Sequence, residues 1–195
     1  NALQAGIESG LSGLGSNSFQ IQKRPVILLE GDNRMRNRPD ISYDQALRLA
    51  EKATTYKYIS IEDYLNVDKA IRSSTETTNP NNTIGGVQPR YLECNGRAVQ
   101  FGRFITEVDI INNSKVAVIG IDVMDKLFPL VNPIGQYVMI DNNEFKIIGV
   151  LEKQGDGFSQ SSSNFALLPI TTMQQIYGKN NRSMNIAIQA PGKEE

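Results

Sequence analysis

Histidine is missing from all 195 residues. Its absence removes the commonest general base near neutral pH and the commonest metal ligand. One cysteine, Cys94, is present, so an internal disulfide and a cysteine-built zinc site are excluded. An excess of charge is lacking as well: 20 basic residues stand against 21 acidic ones, a net charge of -1. A nucleic-acid partner would need a basic surface, and none is expected here. No stretch approaches the roughly 20 apolar residues of a membrane helix, and no signal-peptide pattern opens the chain. The chain starts in a helix-like stretch and stops in Pro191-Gly192-Lys193-Glu194-Glu195. It reads as the soluble part of a longer protein.

Motifs of catalysis are equally scarce. Gly155-Asp156-Gly157 lacks the continuation Gly-x-x-x-x-Gly-Lys that would cradle phosphate. It also lacks the spaced oxygen ligands of a calcium loop, so Glu152 to Asn164 reads as a flexible Gly/Ser loop. A serine nucleophile needs a base and an orienting group. No Gly-x-Ser-x-Gly occurs, and nothing points to a Ser-Lys dyad. The acid pairs Glu62-Asp63 and Asp122/Asp125 could in principle serve glycoside hydrolysis across a cleft. Surface carboxylates and helix N-terminal carboxylates explain them more simply. No catalytic residue, cofactor-binding residue or metal ligand is assigned, no cofactor is expected, and the chain is not read as an enzyme. Arg34, Arg36 and Arg38 fall in a polar loop. They form either a basic contact patch or a solvated segment, and charge runs are usually solvated.

What is present is a core-forming chain with 39% hydrophobic residues, long enough for one large domain or two small ones. Its centre is Val116 to Leu151. Val116 to Ile119 is an apolar run expected as a buried strand, ended by Gly120. Ile121, Met124, Leu127 and Phe128 recur at helical spacing, and Pro129 closes that helix. Leu127 and Phe128 are expected against Ile147 and Val118. Gln136 to Ile140 and Phe145 to Leu151 form a hairpin about Asp141-Asn142-Asn143-Glu144, since Asn tolerates positive φ. Phe145, Ile147 and Leu151 should share one face.

Elsewhere, Ala2, Gly6 and Gly10 line one face of an N-terminal helix that also carries Leu3, Ile7, Leu11 and Leu14. Phe19 to Gln22 alternates as a strand. Ser42 with Gln45 makes a capping box for a helix from about Tyr43 to Thr54, with Ala46, Leu49, Ala50 and Ala53 inward. Strands are expected at Tyr58 to Ile61, Lys69 to Thr75, Thr83 to Val87, Phe165 to Pro169 and Met184 to Gln189. Tyr91, Leu92 and Phe101 are expected core anchors. Thr171 or Thr172 should cap a short helix through Tyr177.

The central stretch, with its helix ending Leu127-Phe128-Pro129, then Pro133-Ile134-Gly135-Gln136 and Ile147-Ile148-Gly149-Val150, resembles the extracytoplasmic core domain of MacB/FtsX-type ABC transporter permeases. Leu14 to Phe19, Gly86 to Leu92 followed by Gly102-Arg103, and Phe165 to Thr172 resemble further passages of that family in the same order. The resemblance implies an α+β fold of two lobes. A Porter-like α/β lobe would comprise 1–87 and 158–195, and a β-rich Sabre-like lobe would be inserted at 88–157. It implies an ABC permease subunit at the bacterial inner (cell) membrane, this domain facing the periplasm or cell exterior and engaged in efflux or another transmembrane transport. ATP would be hydrolysed by a separate nucleotide-binding subunit or domain. Expected partners are that ATPase, a second permease copy, and a periplasmic adaptor, lipoprotein or cell-wall hydrolase activator. The alternative is a secreted or surface-anchored binding module unrelated to transport.

Overall fold

The computed structural model describes residues 18–23, 38–153 and 163–191. The expected N-terminal helix, Arg34, Arg36 and Gly155-Asp156-Gly157 lie outside the described residues. Nine strands form one mixed sheet: β1 (Ser18–Ile21), β2 (Tyr58–Tyr64), β3 (Thr83–Val87), β4 (Val99–Gly102), β5 (Val116–Gly120), β6 (Tyr137–Ile140), β7 (Asn143–Leu151), β8 (Phe165–Pro169) and β9 (Asn185–Gln189). Among the described residues five helices join them: α1 (Tyr43–Lys52), α2 (Tyr91–Asn95), α3 (Glu107–Ile111), α4 (Ile121–Leu127) and α5 (Ile170–Tyr177). The fold is α+β.

The strand order is β1-β9-β2-β3-β8-β5-β7-β4, with β6 also on β7. Strands from residues before 88 and after 162 therefore occupy one half of the sheet, and strands from 99–151 the other. The seam is the antiparallel β8–β5 pair, which has only two register partners, Val118↔Leu167 and Ile119↔Ala166.

Local signals explain most elements. Ser42 and Gln45 make the reciprocal capping box of α1, which satisfies two backbone donors at its start. Only Ala46 of that helix is fully buried, and Leu49 is exposed. In the hairpin turn Asp141 and Asn142 take φ of 46° and 66°, the left-handed pair a two-residue turn needs. Helix α5 departs from expectation: it starts at Ile170, and its cap Pro169 gives no side-chain bond. Thr171 and Thr172 lie inside the helix instead. Their hydroxyls donate to the carbonyls of Ile110 and Ser114, which fastens α5 to α3 and the turn after it. Lys69 to Thr75 is no strand; isolated bridges Lys69↔Asn82 and Arg72↔Met139 anchor it. Buried Asn82 supports the loop by donating to the carbonyls of Lys69 and Asn79.

The core has two sides. On one side Ile84, Ile119, Leu127, Phe145, Ile147 and Met173 pack under α4 and α5, continued by Ala46, Ile61, Ile186 and Ile188 under α1. On the other, Val87, Tyr91, Phe104, Val118, Leu151 and Phe165 pack with α2. Leu127 thus meets the Ile147 side as expected, with half-buried Phe128 packed against it, but Val118 lies on the opposite side. Val123, fully buried, is the missed inward residue of α4. Leu151 is likewise separated from Phe145 and Ile147. The β5–β7 register slips between Ala117↔Ile147 and Val118↔Gly149, and one extra residue in a strand reverses the faces beyond it. Phe101 is exposed on edge strand β4, not a core anchor.

Candidate functional site

The clearest concentration of polar chemistry sits where the sequence was read as ordinary surface. β2 continues three residues past Ile61, so Glu62 and Asp63 are strand residues, 1% and 0% exposed. Successive strand residues face opposite ways. The two carboxylates therefore serve two separate networks, one on each side of the sheet.

Asp63 meets Arg182, from the turn before β9. Arg182 Nε donates to Asp63 Oδ1 at 2.7 Å and a terminal nitrogen donates to Oδ2 at 2.8 Å. The same guanidinium donates to the carbonyls of Tyr177 and Gly178. This planar two-point pairing satisfies a buried carboxylate in a way a lysine could not. It also ties the end of α5 to β2, through an arginine 119 residues from Asp63 in sequence.

Glu62 faces α2. Asn95 Nδ2 donates to its Oε1 at 2.6 Å and the Tyr64 hydroxyl donates to Oε2 at 2.8 Å. Asn95 also donates to the Tyr91 carbonyl at 3.0 Å, while its Oδ1 accepts from Gln20 Nε2 of β1 at 2.9 Å. Tyr91 and Arg97 border the same network. Burial pushes the Glu62 carboxyl up to about 7, against the pull of Asn95, Tyr64 and Arg97 toward the charged form. Burial and the Glu62 charge push the buried Cys94 thiol up to about 12, which leaves it protonated and unreactive near neutrality.

The other candidates are dispersed. Asp122 Oδ2 accepts from the Ser163 amide at 3.1 Å; Asp125 is exposed on α4. Asp141 pairs with Lys69 at 3.0 Å and accepts from the Tyr177 hydroxyl at 3.3 Å. Arg38 is exposed. An open polar cleft of about 450 Å³ runs beside Arg182, lined by Gln22, Lys23, Asp40, Asn66 and Ser183 among others. Lys23 and Asp40 close on each other there at 2.6 Å. Among the described residues no group of three or more His, Cys, Asp or Glu could hold a metal ion. No helix among them is long and apolar enough to cross a membrane. The buried networks do structural work: neither presents a free nucleophile to a cavity, and both bind distant segments together.

The family model of the MacB-like periplasmic core domain matches residues 1–195. The macrolide export ATP-binding/permease protein MacB of Bdellovibrio bacteriovorus is 30% identical over 186 residues, covering 89% of this chain and 26% of that protein. The pyoverdine export ATP-binding/permease protein PvdT of Pseudomonas fluorescens is 39% identical over 101 residues, 50% of this chain and 15% of that protein. The chain thus spans about a quarter or less of the length of these curated relatives. Among solved structures, the periplasmic region of MacB from Actinobacillus actinomycetemcomitans superposes with a TM-score of 0.75 at 20% identity, covering 94% of this chain and 78% of that one. The extracellular domain of the noncanonic ABC-type transporter YknZ from Gram-positive bacteria gives 0.67 at 20% identity, covering 91% and 86%.

Proposed function

The chain belongs to the family of MacB-like periplasmic core domains, and on that premise we propose that it is the outward-facing domain of an ABC transporter permease subunit. In this reading it performs no chemistry. ATP is hydrolysed in the cytoplasm by a fused or separate nucleotide-binding domain, and this domain converts the cycle into movement and partner engagement outside the membrane. The opening segment with Ala2, Gly6 and Gly10 is the mechanical link to the bilayer, and the working unit holds two permease copies. Residues 1–87 with 158–195 act as a Porter-like lobe and 88–157 as a Sabre-like lobe; the narrow β8–β5 seam supports that division. The outward partner is an adaptor, a lipoprotein or an activator of cell-wall hydrolases.

One observation carries the reading: the family match extends over the whole chain. The buried networks agree with it, since they brace the domain. Topology is the first test. Cys94 is buried, so Glu144→Cys at the exposed hairpin would give this domain a single accessible thiol. In intact cells permeabilised only at any outer membrane, a membrane-impermeant maleimide should label that cysteine in the full-length protein. Labelling only after the inner membrane is lysed would overturn the proposal.

A further inference from the structure

Among the described residues, strand β1 is an edge strand of four residues, paired with β9 alone. So short an edge pairing is weak by itself. A side-chain tie beyond β9 runs from Gln20 Nε2 to Asn95 Oδ1. Asn95 can accept from Gln20 only while its carbonyl oxygen points that way. That orientation is set from behind: both Nδ2 hydrogens are taken, one by Glu62 Oε1 and one by the Tyr91 carbonyl. We propose that Gln20, Asn95 and Glu62 form a latch that holds the N-terminal edge strand to the sheet, tight when Glu62 is ionised and slack when it is neutral.

The chemistry follows from the donors around Glu62. Tyr64 (β2) and Asn95 (α2) both donate to it. Tyr91, Cys94 and Arg97 are the other titratable or charged groups coupled to it, from α2 and the loop beyond. Its sheet neighbours Val87 and Asn185 carry no charge. An ionised acceptor makes hydrogen bonds about twice as strong as a neutral one. A protonated Glu62 must also place its own hydrogen, either by turning the Tyr64 hydroxyl toward Tyr91 or by displacing the Asn95 amide. The second route frees Gln20. The latch is independent of the transport reading. If that reading holds, the latch sets how firmly β1 resists a pull from the membrane side.

Amide hydrogen exchange on the full chain reads the latch directly. At pH 8 the amides of β1 should be protected. At pH 6, after correction for intrinsic exchange chemistry, their protection should fall about tenfold relative to β2 and β9. Over the same range the whole domain becomes more stable, because a buried carboxylate is being neutralised, so general loosening cannot mimic the effect. Glu62→Gln should show slack β1 at both pH values. Gln20→Ala should do the same while keeping the wild-type dependence of melting temperature on pH, since Glu62 remains. Equal β1 protection at pH 6 and pH 8 in the wild type would overturn the proposal. So would wild-type protection in Gln20→Ala.

Discussion

Arg182→Ala tests whether the Asp63–Arg182 pair braces the fold. Asp63 is 0% exposed and the Arg182 side chain 8%, so the pair is largely shut off from solvent. The substitution removes two charge-assisted bonds to Asp63 and two donors to the Tyr177 and Gly178 carbonyls. Breaking a buried pair from one side costs about 3–5 kcal/mol, most of it the penalty of the stranded charge. In a domain of this size that corresponds to a loss of roughly 6–20 °C in melting temperature. Arg182→Lys should recover only part, because an ammonium cannot span both carboxylate oxygens. Asp63→Leu combined with Arg182→Met should be milder than Arg182→Ala, since it strands no charge. Urea unfolding followed by circular dichroism gives the stability of the wild type and of the three variants. A loss below about 1 kcal/mol for Arg182→Ala, the range of an exposed pair, would refute the reasoning.

Three further outcomes are expected. The folded Glu62 carboxyl titrates near 7 against an ordinary 4.5, so the native state binds its proton more readily than the unfolded chain. The stabilisation is complete below 4.5 and lost as pH rises through 7, a change of about 3 kcal/mol; Glu62→Gln should abolish this dependence in urea titrations at several pH values. Leu127→Ala should cost about 2–5 kcal/mol, whereas Asp125→Ala, exposed on the same helix, should stay within about 0.5 kcal/mol; equal melting temperatures would contradict the assigned helix face. Gly120→Ala would place a Cβ 1.9 Å from the Ser163 carbonyl oxygen, so the β8 entry must shift. It should cost about 3 kcal/mol or more, the upper end for overpacking, read as melting temperature or loss of soluble protein.

The central strand–helix–hairpin was legible because its signals are local. An apolar run, a helical period, Pro129 and the Asp141-Asn142 turn each act within a few residues. The family resemblance rested in part on those same passages. Glu62 and Asp63 were not legible, because their partners Asn95 and Arg182 lie 33 and 119 residues away. A faint signal existed: Ser60, Glu62 and Tyr64 share one phase of β2, and Ile59, Ile61 and Asp63 the other. The face of Leu151 was hidden by a one-residue bulge, and the exposure of Phe101 by its place on an edge. Both depend on pairing partners that sequence periodicity does not reveal.

The central claim is that the domain moves with the ATP cycle. In full-length transporter, Glu144→Cys in both permease copies can carry spin labels, and their separation can be measured by pulsed electron resonance with and without trapped ATP. The account predicts a nucleotide-dependent change in the distance distribution. Identical distributions in both states, in a protein that still hydrolyses ATP and exports at the parental rate, would contradict it.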